Sequence, residues 1–173
     1  MATSSAHDSA HGPHDAKPYG ITRWLFTTNH KDIGTLYLTF ACIMFFLGGA
    51  MALAIRAELW HPGLQIFQPE TFNALTTNHA LVMIFGAVMP AWVGFANWMI
   101  PMQIGAPDMA LPRLNNYSFW ILPFAFTLLL GTWFVPGGAP AGGWTLYPPL
   151  VLQGGDSFPL AVFAIHLMGA SSI

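Results

Sequence analysis

The stretch that decides the fold is IGTLYLTFACIMFFLGGAMALAI, residues 33–55, a run of 23 residues without a charge. As an α-helix rising about 1.5 Å per residue it reaches roughly 34 Å, enough to cross a hydrocarbon core of ~30 Å. Working outward, a second uncharged run covers residues 73–100 and contains His79, Pro90 and Asn97. A third covers residues 117–135, with Pro123 inside it. Proline is tolerated in such spans because neighbouring helices and side chains re-satisfy the carbonyls it frees. A fourth run starts near Phe158, and its 16 residues to Ile173 reach only about 24 Å as a helix. The expectation is therefore an all-α, polytopic transmembrane bundle of three complete spans and a truncated fourth.

Composition agrees. Of 173 residues, 54% are hydrophobic and only 7% charged, against roughly a quarter charged in soluble domains. Five Lys plus Arg cannot form a basic patch for nucleic acid, so that partner is excluded and membrane lipid takes its place. One cysteine, Cys42, excludes an internal disulfide framework. Residues 1–20, rich in His, Ala, Ser, Gly and Pro, lack an apolar signal core and read as a disordered tail. That divides the chain into a tail (1–20) and a transmembrane part (21–173). Lys17, Arg23, Lys31 and Arg113 fall on one side of the spans and Arg56 on the other, which puts the N-terminus in the cytoplasm.

His79 is the most informative residue, because an ionisable side chain inside an apolar span is costly without a partner. A neutral imidazole suits haem iron; the competing reading is a histidine hydrogen-bonded across helices as packing glue. Gly48-Gly49-Ala50, Met83, Gly86 and Ala87 permit close approach of a flat ring or of another helix, and helix packing is the commoner reason. His166 is a rival ligand, or else an interhelical hydrogen-bond partner. Arg56 is either a snorkelling side chain or a donor to a polar cofactor substituent. Glu58, His61, Gly63 and Gln65 lie in a loop with the oxygen donors calcium uses, although an ordinary loop is the simpler reading. Asp108, flanked by Asn97, Asn115 and Asn116, is placed to open a proton path or merely to cap loops and helices. The glycines of GGAPAGGW (137–144) follow no strand and lack a GK[ST] ending, so no phosphate loop is present.

Six segments together resemble one family: TTNHKDIGTLYL (27–38), IRAEL (55–59), NHALVMIFGAVMP (78–90), NWMIPMQIGAPDMALPRLNNYSFW (97–120), GWTLYPPL (143–150) and AIHLMGASSI (164–173). They are similar to the N-terminal part of subunit I of cytochrome c oxidase, in the haem–copper oxidase superfamily. The resemblance implies that His79 is an axial ligand of a low-spin haem A and that Arg56 hydrogen-bonds the haem formyl. Met83, one turn beyond His79, falls within the cofactor-binding set. Trp144 and Tyr147 match aromatics near the haem propionates. Glu58, Gly63, Gln65 and the carbonyl of His61 resemble a calcium site. Asp108 matches the entrance carboxylate of a proton channel, with Asn97 and Asn115 lining its mouth. His166 matches a histidine that is not a haem ligand.

The resemblance also implies what lies elsewhere. The family's subunit has about twelve spans, and its second haem, its copper ion and their ligands correspond to positions beyond residue 173. No oxygen-reducing residue is expected in this segment. The implied function is a bacterial inner-membrane oxidase that takes electrons from cytochrome c, reduces oxygen to water and pumps protons. Its implied partners are the remainder of subunit I, a copper-bearing subunit II, subunit III and cytochrome c. The alternatives are a quinol oxidase of the same superfamily and a split or truncated fragment that only packs with partner helices.

Overall fold

A computed structural model describes residues 20–153 and 155–172; the expected tail falls almost wholly outside them. Six α-helices run in chain order: α1 (Ile21–Leu25), α2 (His30–Glu58), α3 (Pro69–Leu81), α4 (Met89–Ile104), α5 (Pro112–Gly131) and α6 (Ser157–Ser171), with no strand among the described residues. Three helical stretches, at 30–58, 69–104 and 112–134, are long and apolar enough to cross a membrane, and α6 is shorter. Each begins three to five residues before its uncharged run, and the first two also end three or four residues beyond it, because caps rather than charges set the ends.

The caps are readable. Asn29 accepts from the amides of Lys31 (2.8 Å) and Asp32 (3.4 Å) and so starts α2. Asp32 in the first turn suits the helix dipole and also pairs with Arg23 at 2.8 Å. Pro69 and Pro112 open α3 and α5, where a missing N–H costs nothing. Gly105, at φ 69°, closes α4 with the Ala106 amide reaching back to the Pro101 carbonyl at 2.9 Å.

Between α3 and α4 the chain stays helical but widens into a π-helix over Val82–Val88. Pro90 has no N–H to offer the Gly86 carbonyl, and the wider turn re-pairs the backbone ahead of it; the Met89 amide reaches Ile84 instead of Phe85. The bulge re-phases the side chains of Met83 to Val88 relative to His79.

Glycines let α2 lie close along this long helix. A Cβ on Gly34 would stand 2.9 Å from the Gly94 carbonyl, and one on Gly94 would stand 3.0 Å from the Gly34 carbonyl. A Cβ on Gly86 would meet the Phe126 ring at 2.9 Å. Tyr37, Phe40, Phe119 and Phe126 stack edge-on in the core at centroid distances of 5.1–6.4 Å. Met168, Ala161 and Ala164 of α6 join that core. Only 22%, 33% and 39% of the most apolar stretch of the three spans is buried, so most of each apolar surface faces outward. In water that would be an aggregating surface, whereas in lipid it is the expected one.

Candidate functional site

Three polar stations lie along this apolar frame. The first is His79, half-buried two residues before the end of α3. Its Nδ1 lies 2.9 Å from the Gly48 carbonyl of α2. A carbonyl only accepts, so Nδ1 carries the proton and Nε2 keeps its lone pair. The helices approach this closely because Gly48 has no side chain: a Cβ there would stand 2.5 Å from Met83 Sδ. The interhelical bond and the metal ligand are therefore compatible readings of one ring, since ligating histidines habitually donate their other nitrogen to a carbonyl.

Among the described residues no three His, Cys, Asp or Glu side chains gather into a metal cage. A single imidazole still fits haem, whose porphyrin supplies the equatorial nitrogens. Gly49 beside this contact has open space where its Cβ would be. Next to His79, Asn78 is fully buried; its amide donates to the Ala74 carbonyl at 3.0 Å, and its Oδ1 has no donor among the described residues. The expected interhelical bond of His166 is not what forms. That ring is exposed and donates within α6, to the Val162 carbonyl at 2.8 Å, because an i−4 carbonyl is the nearest acceptor on an apolar helix.

The second station closes the other end of α2. Glu58 is buried, and its two carboxylate oxygens accept the amides of Gln65 (2.8 Å), Ile66 (2.6 Å) and Phe67 (2.9 Å). Gly63 at φ 92° makes the return possible, and Gln65 Nε2 donates to the Pro62 carbonyl at 3.2 Å. His61 is exposed in this loop. Arg56, in the last turn, is exposed and has no hydrogen bond or ion pair among the described residues. The carboxylate two residues away is already engaged with backbone.

The third station is at the opposite end of the bundle. Asn115 Nδ2 donates to Asn97 Oδ1 at 2.6 Å, joining α5 to α4. Asn97 is 3% exposed and its amide donates to the Val93 carbonyl at 2.9 Å. His30, buried at the start of α2, donates from Nδ1 to the Asn97 backbone carbonyl at 2.8 Å. Sequence reasoning left His30 inside a motif without a role; its signal was a histidine in the first turn of a span. Asn115 also lines a cavity of about 230 Å³ with Met109, Ala110, Leu111, Leu114 and Ser118. Asp108 immediately precedes this lining, half-buried, and accepts the Met109 amide at 2.7 Å. Asn97 and Asn115 are thus in contact, while Asp108 is next to the cavity that Asn115 lines and is bonded to neither. Asn116 faces elsewhere and holds the Leu25 and Thr27 carbonyls at 3.1 and 2.6 Å.

Trp144 and Tyr147 are exposed on a turn in the connection between α5 and α6, at the same end as Glu58 and His79. That turn is held by the Leu146 amide on the Gly143 carbonyl (3.0 Å) and the Tyr147 amide on the Gly142 carbonyl (3.3 Å).

The family described as "Cytochrome C and Quinol oxidase polypeptide I" matches residues 32–173. The chain is 48% identical over 130 residues to a "Probable cytochrome c oxidase subunit 1-alpha" of Streptomyces coelicolor, covering 75% of this chain and 22% of that protein. It is 46% identical over 159 residues to "Cytochrome c oxidase subunit 1" of Candida albicans, covering 88% of this chain and 30% of that protein. The chain therefore spans between a fifth and a third of the length of these relatives.

Proposed function

The chain belongs to the cytochrome c and quinol oxidase polypeptide I family, and from that premise we propose that it serves as part of subunit I of a terminal respiratory oxidase. In this reading the complete enzyme takes electrons from cytochrome c, reduces oxygen to water and pumps protons across a bacterial inner membrane. Cytochrome c is the proposed donor because TTNHKDIG and IRAEL read as that branch; quinol is the alternative that the family's name also covers. The proposed partners are the remainder of subunit I, a copper-bearing subunit II, subunit III and cytochrome c. Four basic residues against one support a cytoplasmic N-terminus.

The observation that carries the reading is the His79 Nδ1 bond to the Gly48 carbonyl, which leaves Nε2 free and its ring direction fixed. His79 would hold the iron of a low-spin haem A, which when bound relays electrons toward an oxygen-reducing haem and copper. Arg56 would donate to a polar haem substituent, and its open guanidinium supports that role. Met83 would pack beside the ligand, and Trp144 and Tyr147 would flank the propionates. At the other end, Asp108 would take protons from the cytoplasm and the Asn97–Asn115 pair would order water along the entry. Asparagine amides both donate and accept, so such a pair passes hydrogen-bond direction without carrying charge itself. Glu58, His61, Gly63 and Gln65 are proposed as a calcium site, with loop closure by Glu58 as the reading its three amide bonds favour.

The test is the low-spin haem band of the purified oxidase containing this chain. His79→Ala abolishes it while assembly of the complex, followed by size-exclusion chromatography, persists. A band of unchanged position and intensity would overturn the ligand assignment.

A further inference from the structure

Thr77 is 1% exposed, and its hydroxyl is engaged twice. It donates to the Asn73 carbonyl at 2.8 Å, so its proton is committed, and an oxygen lone pair accepts the Gly143 amide at 3.0 Å. Sixty-six residues separate the two partners of that second bond. Among the described residues it is the hydrogen bond that joins the connection between α5 and α6 to α3. Elsewhere these segments stand apart. A cavity of about 620 Å³ lies between Glu70, Asn73 and Ala74 of α3 and Trp133, Gly138 and Gln153 across from them. Across that gap side chains do not meet, whereas the Thr77–Gly143 bond ties the two segments directionally.

The turn that receives the bond is a single unit. Gly143 sits at φ 78° and Leu146 at φ 51°, closed by the two amide bonds already described. Gly142 presses on Val151: a Cβ would stand 2.8 Å from Val151 Cβ. Holding the Gly143 amide thus places Trp144 and Tyr147 as a group. On the other side of the bond, Thr77 precedes His79 by two residues, about 200° around the helix. Thr77 faces the connection while His79 faces Gly48 of α2.

We propose that Thr77 is a positioning residue that sets the Trp144–Tyr147 turn against the helix carrying His79. The proposal rests on the haem reading of His79, Trp144 and Tyr147. Its test uses the purified oxidase containing this chain, with Thr77→Val, Thr77→Ala and Thr77→Ser. Val and Ala remove the hydroxyl, Ala without any risk of overpacking, and Ser keeps it. Hydrogen exchange in peptides covering 142–147 is expected to rise about five- to ten-fold in Val and Ala, the factor for one hydrogen bond, and to return in Ser. The low-spin haem potential is expected to move in Val and Ala and to be restored by Ser. Exchange as in the parent protein would overturn the tether. Faster exchange with an unmoved potential would overturn the positioning role, leaving mere scaffolding. A wrong haem reading registers separately, as a low-spin band that survives His79→Ala.

Discussion

Gly48→Ala is the substitution that most directly probes how His79 is held. The added Cβ would stand 2.5 Å from Met83 Sδ, 2.9 Å from Met83 Cγ and 3.4 Å from Val82 Cγ1. Relaxed contacts of this kind lie near 3.5–4.0 Å, so about 1 Å of movement is required. Two responses compete. If Met83 alone turns aside, its flexible thioether absorbs the clash and the cost is at the low end of overpacking, about 1 kcal/mol. If instead α2 backs away by that 1 Å, the His79–Gly48 bond stretches from 2.9 Å to beyond hydrogen-bond range. Losing it adds about 0.5–1.5 kcal/mol to an overpacking cost of about 1–3 kcal/mol. The backing-away response is also the one that frees the ring to rotate. We expect Gly48→Ala to lower the temperature at which the purified oxidase loses its low-spin haem, and to shift or broaden the band. In a Met83→Ala background both closest contacts are gone and the added Cβ is left with Val82 Cγ1 at 3.4 Å, near ordinary contact, so the two substitutions should couple by about 1–2 kcal/mol. Strictly additive losses, with an unaltered band in the single variant, would refute the idea that this close approach holds the ligand.

Two further outcomes are expected. Glu58→Gln leaves one acceptor oxygen for three amides and turns an NH2 group toward the remainder. The loop at 59–68 should then become several-fold more sensitive to a non-specific protease, with the low-spin band intact; unchanged cleavage would mean that the carboxylate does not close the loop. Asp108→Asn should slow turnover of the complete oxidase and abolish pumping when reconstituted in vesicles, and an unchanged proton-to-electron ratio would remove Asp108 from the proton route.

The long-range pairs were the least legible part of this chain. Residues 33–55, 73–100 and 117–135 announced their spans because lipid demands an unbroken run of apolar side chains. Pro90 read only as a proline its span would tolerate; the seven-residue π-helix ahead of it was not legible. His79 stood out because an imidazole in such a run needs a reason. Its partner did not: nothing in the order of residues picks the Gly48 carbonyl over any other on α2. The fate of His166 was misjudged for a related reason, since its own helix offered an acceptor before any neighbour did. Glu58 looked like a cation ligand; that it also accepts three amides of its own loop follows from the path of the chain around Gly63, which the order of residues does not show.

By itself, then, the sequence determined the solvent, the helical class, the approximate spans and the residue types whose presence in a membrane requires an explanation. These follow from local quantities: hydrophobicity, length per residue, caps and missing N–H groups. The tertiary structure alone decided which of those residues meet. It joined His79 to Gly48, Asn115 to Asn97, His30 to the Asn97 carbonyl and Thr77 to Gly143. Those pairings depend on how closely two helices cross, and that distance is set where glycine meets backbone or methionine, tens of residues away along the chain.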